Sequence, residues 1–438
     1  MESPFHAGRS APLPQSLWAA VTPACMTHPA LEGHQRADVV VIGAGFMGVA
    51  AALTLAERGV EVVLIEAAQI GWGASGRNNG LIAPGLKRDP DDVRKLLGRE
   101  RGDRLLRYSG DAPRRVFDLI DKHHIACDVN KRGWIQAAHA RIALPLIEKR
   151  VRLWRELGAD VELIPETRVA ARLGTDFYAG AWIDSRGGSL NPLAYVRGLA
   201  AIAARFGVRL YERTPAGPIT RAPRGWTIRT PQGSLQCGQL IYCTNAYADA
   251  FADLRGTVVP LRTAQVASAP LTAKQAAAIL PGGESASDTQ RLLTSFRMTA
   301  DTRLIMGGAS ATAGDGEAKL IARLREAARE RFAAALGEIR WEFGWSGHLA
   351  LTQDHLPRII RFEDGSYAGQ ACNGRGIAMA TVTGQAIAEL ICGQDEKDCS
   401  VPIRKPRKVI GISLRHPGVA VAVKLKRLLD RTERRMGG

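Results

Sequence analysis

Two periodicities organise the chain. Ala37-Asp-Val-Val-Val-Ile42 is a run rich in β-branched residues, of the kind that fills a parallel strand buried on both faces. After a glycine turn the apolar spacing changes, and an Ala/Leu-rich stretch predicts a helix from Phe46 to about Arg58. A second strand, Val60 to Ile65, then ends in Glu66. The apolar stretch Val39 to Ala56 is as long as a short membrane span, but its three glycines and change of period predict a buried strand running into a packed helix. Further along, apolar spacing predicts helices over 91–106 and 318–335, and no internal repeat or low-complexity linker occurs.

The turn between the first strand and helix is Gly43-Ala44-Gly45-Phe46-Met47-Gly48. Gly43 permits the tight turn, Gly45 lets backbone approach a pyrophosphate, and Gly48 lets helix and strand pack closely. The helix start points free N–H groups at that pyrophosphate. Glu66, 18 residues past Gly48, can accept from both hydroxyls of an adenosine ribose and disfavours a 2′-phosphate. A Gly-x-Gly-x-x-Gly motif alone is weak evidence, but strand, helix and acid all stand where dinucleotide binding needs them. The motif leaves FAD and NAD undistinguished.

Composition changes this picture little. The chain has 438 residues, 46% of them hydrophobic and 23% charged, an ordinary globular balance. Its seven cysteines form no C-x-x-C pair and have no histidine cluster, which argues against a structural zinc or a disulfide framework and fits a reducing cytoplasm. The first thirty residues carry Glu2 and five prolines without a long apolar core, a poor secretory signal. Net charge is +16, and 404–438 alone carries eleven Lys/Arg against Asp430 and Glu433. In that tail Val419, Val423, Leu425, Leu428 and Leu429 stand among Lys424, Lys426, Arg427, Arg431, Arg434 and Arg435. This reads as a helix docked by its apolar side with a solvated cationic face, or as an element that touches an anionic membrane surface or RNA.

The segment after Glu66 separates the two cofactors. Gly71-Trp-Gly-Ala-Ser-Gly-Arg-Asn-Asn-Gly80 is rich in backbone and amide donors that can wrap a second length of ligand, as the ribityl-pyrophosphate arm of FAD requires. With these residues in hand, 37–80 resembles the FAD-dependent amino-acid and amine oxidoreductases that include D-amino acid oxidase, glycine oxidase and sarcosine oxidase. The likeness is strongest to the gamma-glutamylputrescine oxidoreductase-like branch, which shares the Gly-Trp-Gly-Ala-Ser-Gly-Arg-Asn loop and an arm similar to Ser16-Leu-Trp-Ala. That branch usually has Gly-Gly where Asn79-Gly80 stands here, a mild change because Asn tolerates a left-handed conformation. The resemblance continues through Leu190-Asn-Pro192, Thr214-Pro-Ala216, Gln239 to Tyr247, Phe296 to Gly308, Trp345-Ser-Gly347, Thr352-Gln-Asp354 and Gly374-Arg-Gly-Ile377.

The resemblance implies an α/β and α+β protein. A Rossmann-like FAD domain would be built from the discontinuous segments 37–83, 187–250 and 348–395. A substrate domain with a mixed or antiparallel sheet would use 84–186 and 251–347, with 1–36 as an N-terminal arm and 396–438 as a basic tail. It places the cofactor against Gly43, Gly45, Phe46, Met47, Gly48 and Glu66, then against Ala74, Ser75, Arg77 and Asn78. Ala216, Thr244, Asn245, Gly374, Arg375, Gly376 and Ile377 complete that set.

The last helix would aim its N-terminus at the flavin edge that gains negative charge on reduction. Arg375 reads either as reinforcing that field or as a surface arginine in a turn. His348 and Trp345 are pocket candidates, Trp345 equally readable as packing. The implied reaction is hydride transfer from a C–N carbon of a small-molecule amine or amino acid to flavin N5, giving an imine that hydrolyses. The electron acceptor stays open between oxygen, a quinone and a partner protein.

Two departures from the pattern bear on chemistry. Gly347 stands where monomeric sarcosine oxidase carries its flavin-linking Cys, and no His follows the 75–80 loop, so non-covalent FAD is expected. Ala378 stands where sarcosine oxidase-like members carry a carboxylate-gripping Lys. An extended amine, or a substrate held elsewhere, is therefore expected. Competing readings are a flavin domain acting on tRNA and a non-catalytic FAD-binding subunit. No metal and no nucleic acid are expected, the positive charge lying mostly in the tail.

Overall fold

The computed structural model describes residues 12–309, 316–370, 373–409, 425, 428–430 and 432–433. Two sheets dominate them. The first has the strand Gly33–Ile42 at its centre, paired in parallel with Val62–Ile65 on one side and Gly233–Tyr242 on the other. Arg209–Tyr211 extends it beyond Val62–Ile65, and Tyr367–Gln370 beyond Gly233–Tyr242, again in parallel. Arg358–Arg361 and Ile403–Arg404 complete that edge.

The β-branched run explains the central position. Val39, Val40 and Val41 are all at most 1% exposed, and alternation sends them to opposite faces. Val39 and Val41 join the core under the helix Phe46–Ala56, while Val40 and Ile42 join a second core with Trp226, Leu240 and Phe362. The apolar stretch 39–56 is thus strand followed by packed helix, and no helix among the described residues is long and apolar enough to cross a membrane. A Cβ on Gly384 would lie 2.2 Å from the Met47 carbonyl oxygen, so the helix Gly376–Ile391 meets Phe46–Ala56 backbone to backbone.

The second sheet is mixed. It runs Trp341–Leu351, Val259–Ser268, Leu304–Ala309, Thr294–Met298, Ser285–Asp288, Trp134–Ala138, Gly180–Asp184 and Val161–Ile164. All neighbours are antiparallel except Ser285–Asp288 with Trp134–Ala138. The strand Trp341–Leu351 runs past residue 348, and Ile403–Arg404 joins the first sheet from beyond 395.

Three sequence expectations are corrected locally. The helix expected over 91–106 is two helices, Pro90–Leu97 and Arg99–His123, broken at Gly98, whose φ of 78° no helix accommodates. Asn79 does not use a left-handed conformation, which falls to Gly80 (φ 84°), where a Cβ would meet the Leu190 carbonyl at 2.1 Å. Among the described residues of the tail, the leucines are not the docked side. Leu425, Leu428 and Leu429 are 55%, 62% and 40% exposed, while Asp430 and Glu433 bind Arg291 at 2.8 and 2.7 Å. Glu433 also meets His139 at 3.1 Å. Val419, Val423 and the six cations expected on that helix lie outside the described residues.

Candidate functional site

A cavity of about 490 Å³ opens between the two sheets. Its first wall is the turn after the central strand. Gly43, at φ 104°, leaves no room for a side chain, since a Cβ would lie 2.9 Å from the Cys243 carbonyl. A Cβ on Gly45 would lie 2.9 Å from Ser75 Oγ, the atom that accepts the Phe46 N–H at 3.0 Å. Gly43, Gly45, Phe46 and Met47 line the cavity, whereas Gly48 sits behind them with its Cα against the Gly43 carbonyl.

Glu66 lines the cavity with its carboxylate partly engaged. Oε2 accepts the Ala44 N–H at 2.9 Å and Oε1 the Ala68 N–H at 3.0 Å, which ties the acid to the glycine turn. Burial pushes its pKa up, against the pull of these N–H groups. Its remaining lone pairs face the space where an adenosine ribose would present its hydroxyls.

The loop 71–80 forms the next wall, and Ala74, Ser75, Arg77 and Asn78 all line the cavity. Asn78 holds the loop's shape, donating to the Ala74 and Ser75 carbonyls at 3.1 and 2.9 Å and accepting the Gly80 N–H at 2.9 Å. Arg77 stacks on Trp72 at 4.3 Å and donates to the Trp72 and Ser346 carbonyls. Two buried indoles clamp the same loop from behind. Trp18 Nε1 donates to the Asn78 carbonyl at 2.7 Å and Trp345 Nε1 to the Arg77 carbonyl at 2.8 Å, with the two rings edge to face at 6.1 Å. Trp345 is therefore a positioning residue of the core, 1% exposed and absent from the cavity wall. The arm Ser16-Leu-Trp has the same role.

Ala216, Thr244 and Asn245 line the cavity below, and Thr244 Oγ1 is buried without a hydrogen-bond partner. Gly374, Arg375, Gly376 and Ile377 line it where the helix Gly376–Ile391 begins. Glycines that admit backbone, an acid tied to the turn, an orphaned hydroxyl and two helix N-termini together fit an extended dinucleotide. Cys243 is the one cysteine lining the cavity among the described residues, and burial pushes its thiol up to about 12, so it is no nucleophile at neutral pH.

The opposite wall comes from the second sheet and was not foreseen. Trp134 and Gln136 project from one face of the strand Trp134–Ala138, as period-two spacing dictates. Gln136 Oε1 accepts from Trp182 Nε1 at 3.1 Å on the paired strand and from Arg150 at 2.7 Å. Arg150 also donates to Asp89 at 2.6 Å. Arg375 crosses to this wall and stacks on Trp134 at 4.6 Å. Burial, then the nearby Arg150, lowers its guanidinium to about 10, so it stays charged at neutral pH. Gln265 adds a buried Oε1 with no partner.

His348 lines the cavity beside Arg262, which donates to its Nε2 over a long 3.5 Å. Burial, Arg262 and Arg77 push its pKa down to about 4, so it is a neutral imidazole under physiological conditions. Only alternation along 134–138 could have signalled the tryptophan wall beforehand, because its partners come from distant segments.

The geometry joins a dinucleotide cradle to a walled pocket, and comparison with known proteins identifies the combination. Residues 38–390 match the family described as FAD dependent oxidoreductase. The chain belongs to this family of FAD-dependent oxidoreductases. It is 30% identical over 375 residues to a probable oxidoreductase OrdL of Haemophilus influenzae, covering 84% of this chain and 86% of that protein. It is 29% identical to the gamma-glutamylputrescine oxidoreductase of Escherichia coli, covering 82% and 84%. The fold is similar to that of glycine oxidase from Geobacillus kaustophilus, with a TM-score of 0.71 at 19% identity over 86% of this chain and all of that one. The protein is thus an FAD-dependent oxidoreductase.

Proposed function

We propose that the protein oxidises the C–N bond of a small-molecule amine or amino acid, releasing an imine that hydrolyses in water. The observation that carries this reading is the continuity of one cavity from Glu66 and the glycine turn to the compartment walled by Trp134 and Trp182. FAD, held non-covalently along Gly43–Met47, the 74–78 loop, Ala216, Thr244 and Gly374–Ile377, would supply the hydride acceptor at N5. The N-terminus of Gly376–Ile391 then presents positive potential where charge develops. The neutral His348 can orient a neutral amine and take no part as an acid. The tryptophans keep the reacting bond dry. The free cysteines among the described residues support action in the cytoplasm.

The test is anaerobic addition of amines, polyamine conjugates, N-methyl amino acids and D-amino acids to the flavin-loaded protein. Bleaching of the visible flavin band by one class is expected. A yellow protein that dithionite reduces and no amine bleaches would overturn the reading.

A further inference from the structure

The end of the chain presents side chains that the proposed reaction does not use. Residues 425, 428–430 and 432–433 are helical, and Thr432 Oγ1 donates to the Leu428 carbonyl one turn back at 3.0 Å. Two acids fasten this turn to the body of the protein. Asp430 is buried and binds Arg291 at 2.8 Å, while Glu433 binds Arg291 at 2.7 Å and His139 at 3.1 Å. Leu425, Leu428 and Leu429 stand at i, i+3 and i+4, one face of a 3.6-residue helix, and all three are exposed. Ile142, three residues after His139, is exposed as well.

The same contacts occupy the acids of the segment. Asp430 and Glu433 are the only two in 404–438, against eleven Lys/Arg, and Lys424, Lys426, Arg427, Arg431, Arg434 and Arg435 flank the leucines in sequence. With both carboxylates turned to Arg291 and His139, no acid of the segment is left to offset those cations. A single exposed leucine is ordinary, but three at helical spacing among cations suit the interface of a bilayer, where leucines enter the acyl boundary and cations meet anionic headgroups. RNA would be met by charge alone. Residues 404–438 hold no Phe, Trp or Tyr to stack on a base, and leucines gain nothing from a phosphate backbone. A second copy of the chain would bring the same positive charge against itself.

We propose that the C-terminal segment docks the protein on an anionic bilayer surface through Leu425, Leu428 and Leu429, with Arg291 and His139 holding the segment to the body. The mode is adsorption, since no helix among the described residues is long and apolar enough to cross a membrane. Arg291 directly follows Thr289 and Gln290, which line the cofactor cavity, so the docked segment is tied to that wall of the enzyme.

Full-length, FAD-loaded protein is sedimented with vesicles of phosphatidylcholine alone and of phosphatidylcholine mixed with phosphatidylglycerol. Binding to the anionic vesicles is expected to be at least about tenfold tighter, and to weaken as salt is raised. Changing Leu425, Leu428 and Leu429 together to Gln keeps every charge, and is expected to weaken that binding by about tenfold to a hundredfold. Retained flavin absorbance in this variant separates loss of docking from loss of the fold. Changing Lys424, Lys426 and Arg427 to Gln is expected to cost a similar factor.

No binding to anionic vesicles, or equal binding to neutral ones, overturns the proposal. Undiminished binding by the leucine variant also overturns it, leaving a polycation without an apolar contact. Tighter binding to single-stranded RNA than to anionic vesicles, kept by the leucine variant, would assign the segment to nucleic acid instead. A dimer by light scattering that ignores vesicles and dissociates in the leucine variant would assign the leucines to a second copy.

Discussion

The two ends of the cavity are made of different materials. The cradle around Gly43, Gly45 and Glu66 is built from backbone N–H groups and absent side chains, all within 24 residues of sequence. The facing wall is built from side chains of 89, 134, 136, 150, 182 and 375, brought together from the second sheet and from three helices. A backbone cradle grips what every dinucleotide shares, and it tolerates little change because a glycine has no smaller substitute. A side-chain wall grips what one substrate has and others lack, and it can be rebuilt residue by residue.

Four changes test how separable the ends are, the largest effect first. Arg331 and Asp288 form a buried ion pair at 3.2 Å, with Asp288 on the cavity wall. Arg331→Met leaves that carboxylate without its cation and should cost about 3–5 kcal/mol in urea unfolding. A loss under about 1 kcal/mol would mean that the N–H groups of Gln290 and Thr294 suffice for Asp288. On the cradle side, Gly48→Val drives a Cβ to 1.9 Å from the Gly43 carbonyl. It should destabilise by about 3 kcal/mol and abolish FAD retention together, because strand turn and cofactor site are the same atoms.

Glu66→Gln is the sharper probe of the cradle. An amide oxygen can accept from one of Ala44 and Ala68 but not from both and a ribose. FAD affinity by titration calorimetry should fall by about 1.5–3 kcal/mol. Unchanged affinity would remove Glu66 from the cofactor's partners. The smallest effect is at His348. Its folded-state pKa of about 4 lies below the ordinary 6.5. The unfolded chain therefore binds the proton more readily, and stability is lost as pH falls from 6.5 toward 4. His348→Gln should flatten that stretch of the stability–pH curve, and an unaltered slope would show the imidazole to be freely protonated.

The same contrast separates what could be read from the chain. The strand–glycine–helix–acid unit was legible because its spacing is set by local geometry: a buried strand must be β-branched, and a turn against a carbonyl must be glycine. The loop 71–80 was legible as a donor-rich segment and lines the cavity, while Asn78 serves by tying the loop to itself. Trp345 read equally as pocket or packing, since a strand's alternation shows which residues share a face but not whether a ligand or the core covers it. The break at Gly98 was missed because a single glycine inside an apolar-periodic stretch does not by itself end a helix.

The sequence by itself determined the cofactor half of this protein, because pyrophosphate and ribose recognition runs through backbone geometry that one short segment encodes. Only the tertiary structure decided the facing wall. Arg375 gains its place there from Trp134, 241 residues away. Charge balance in an enclosed space is a sum over neighbours, and the chain order does not list neighbours.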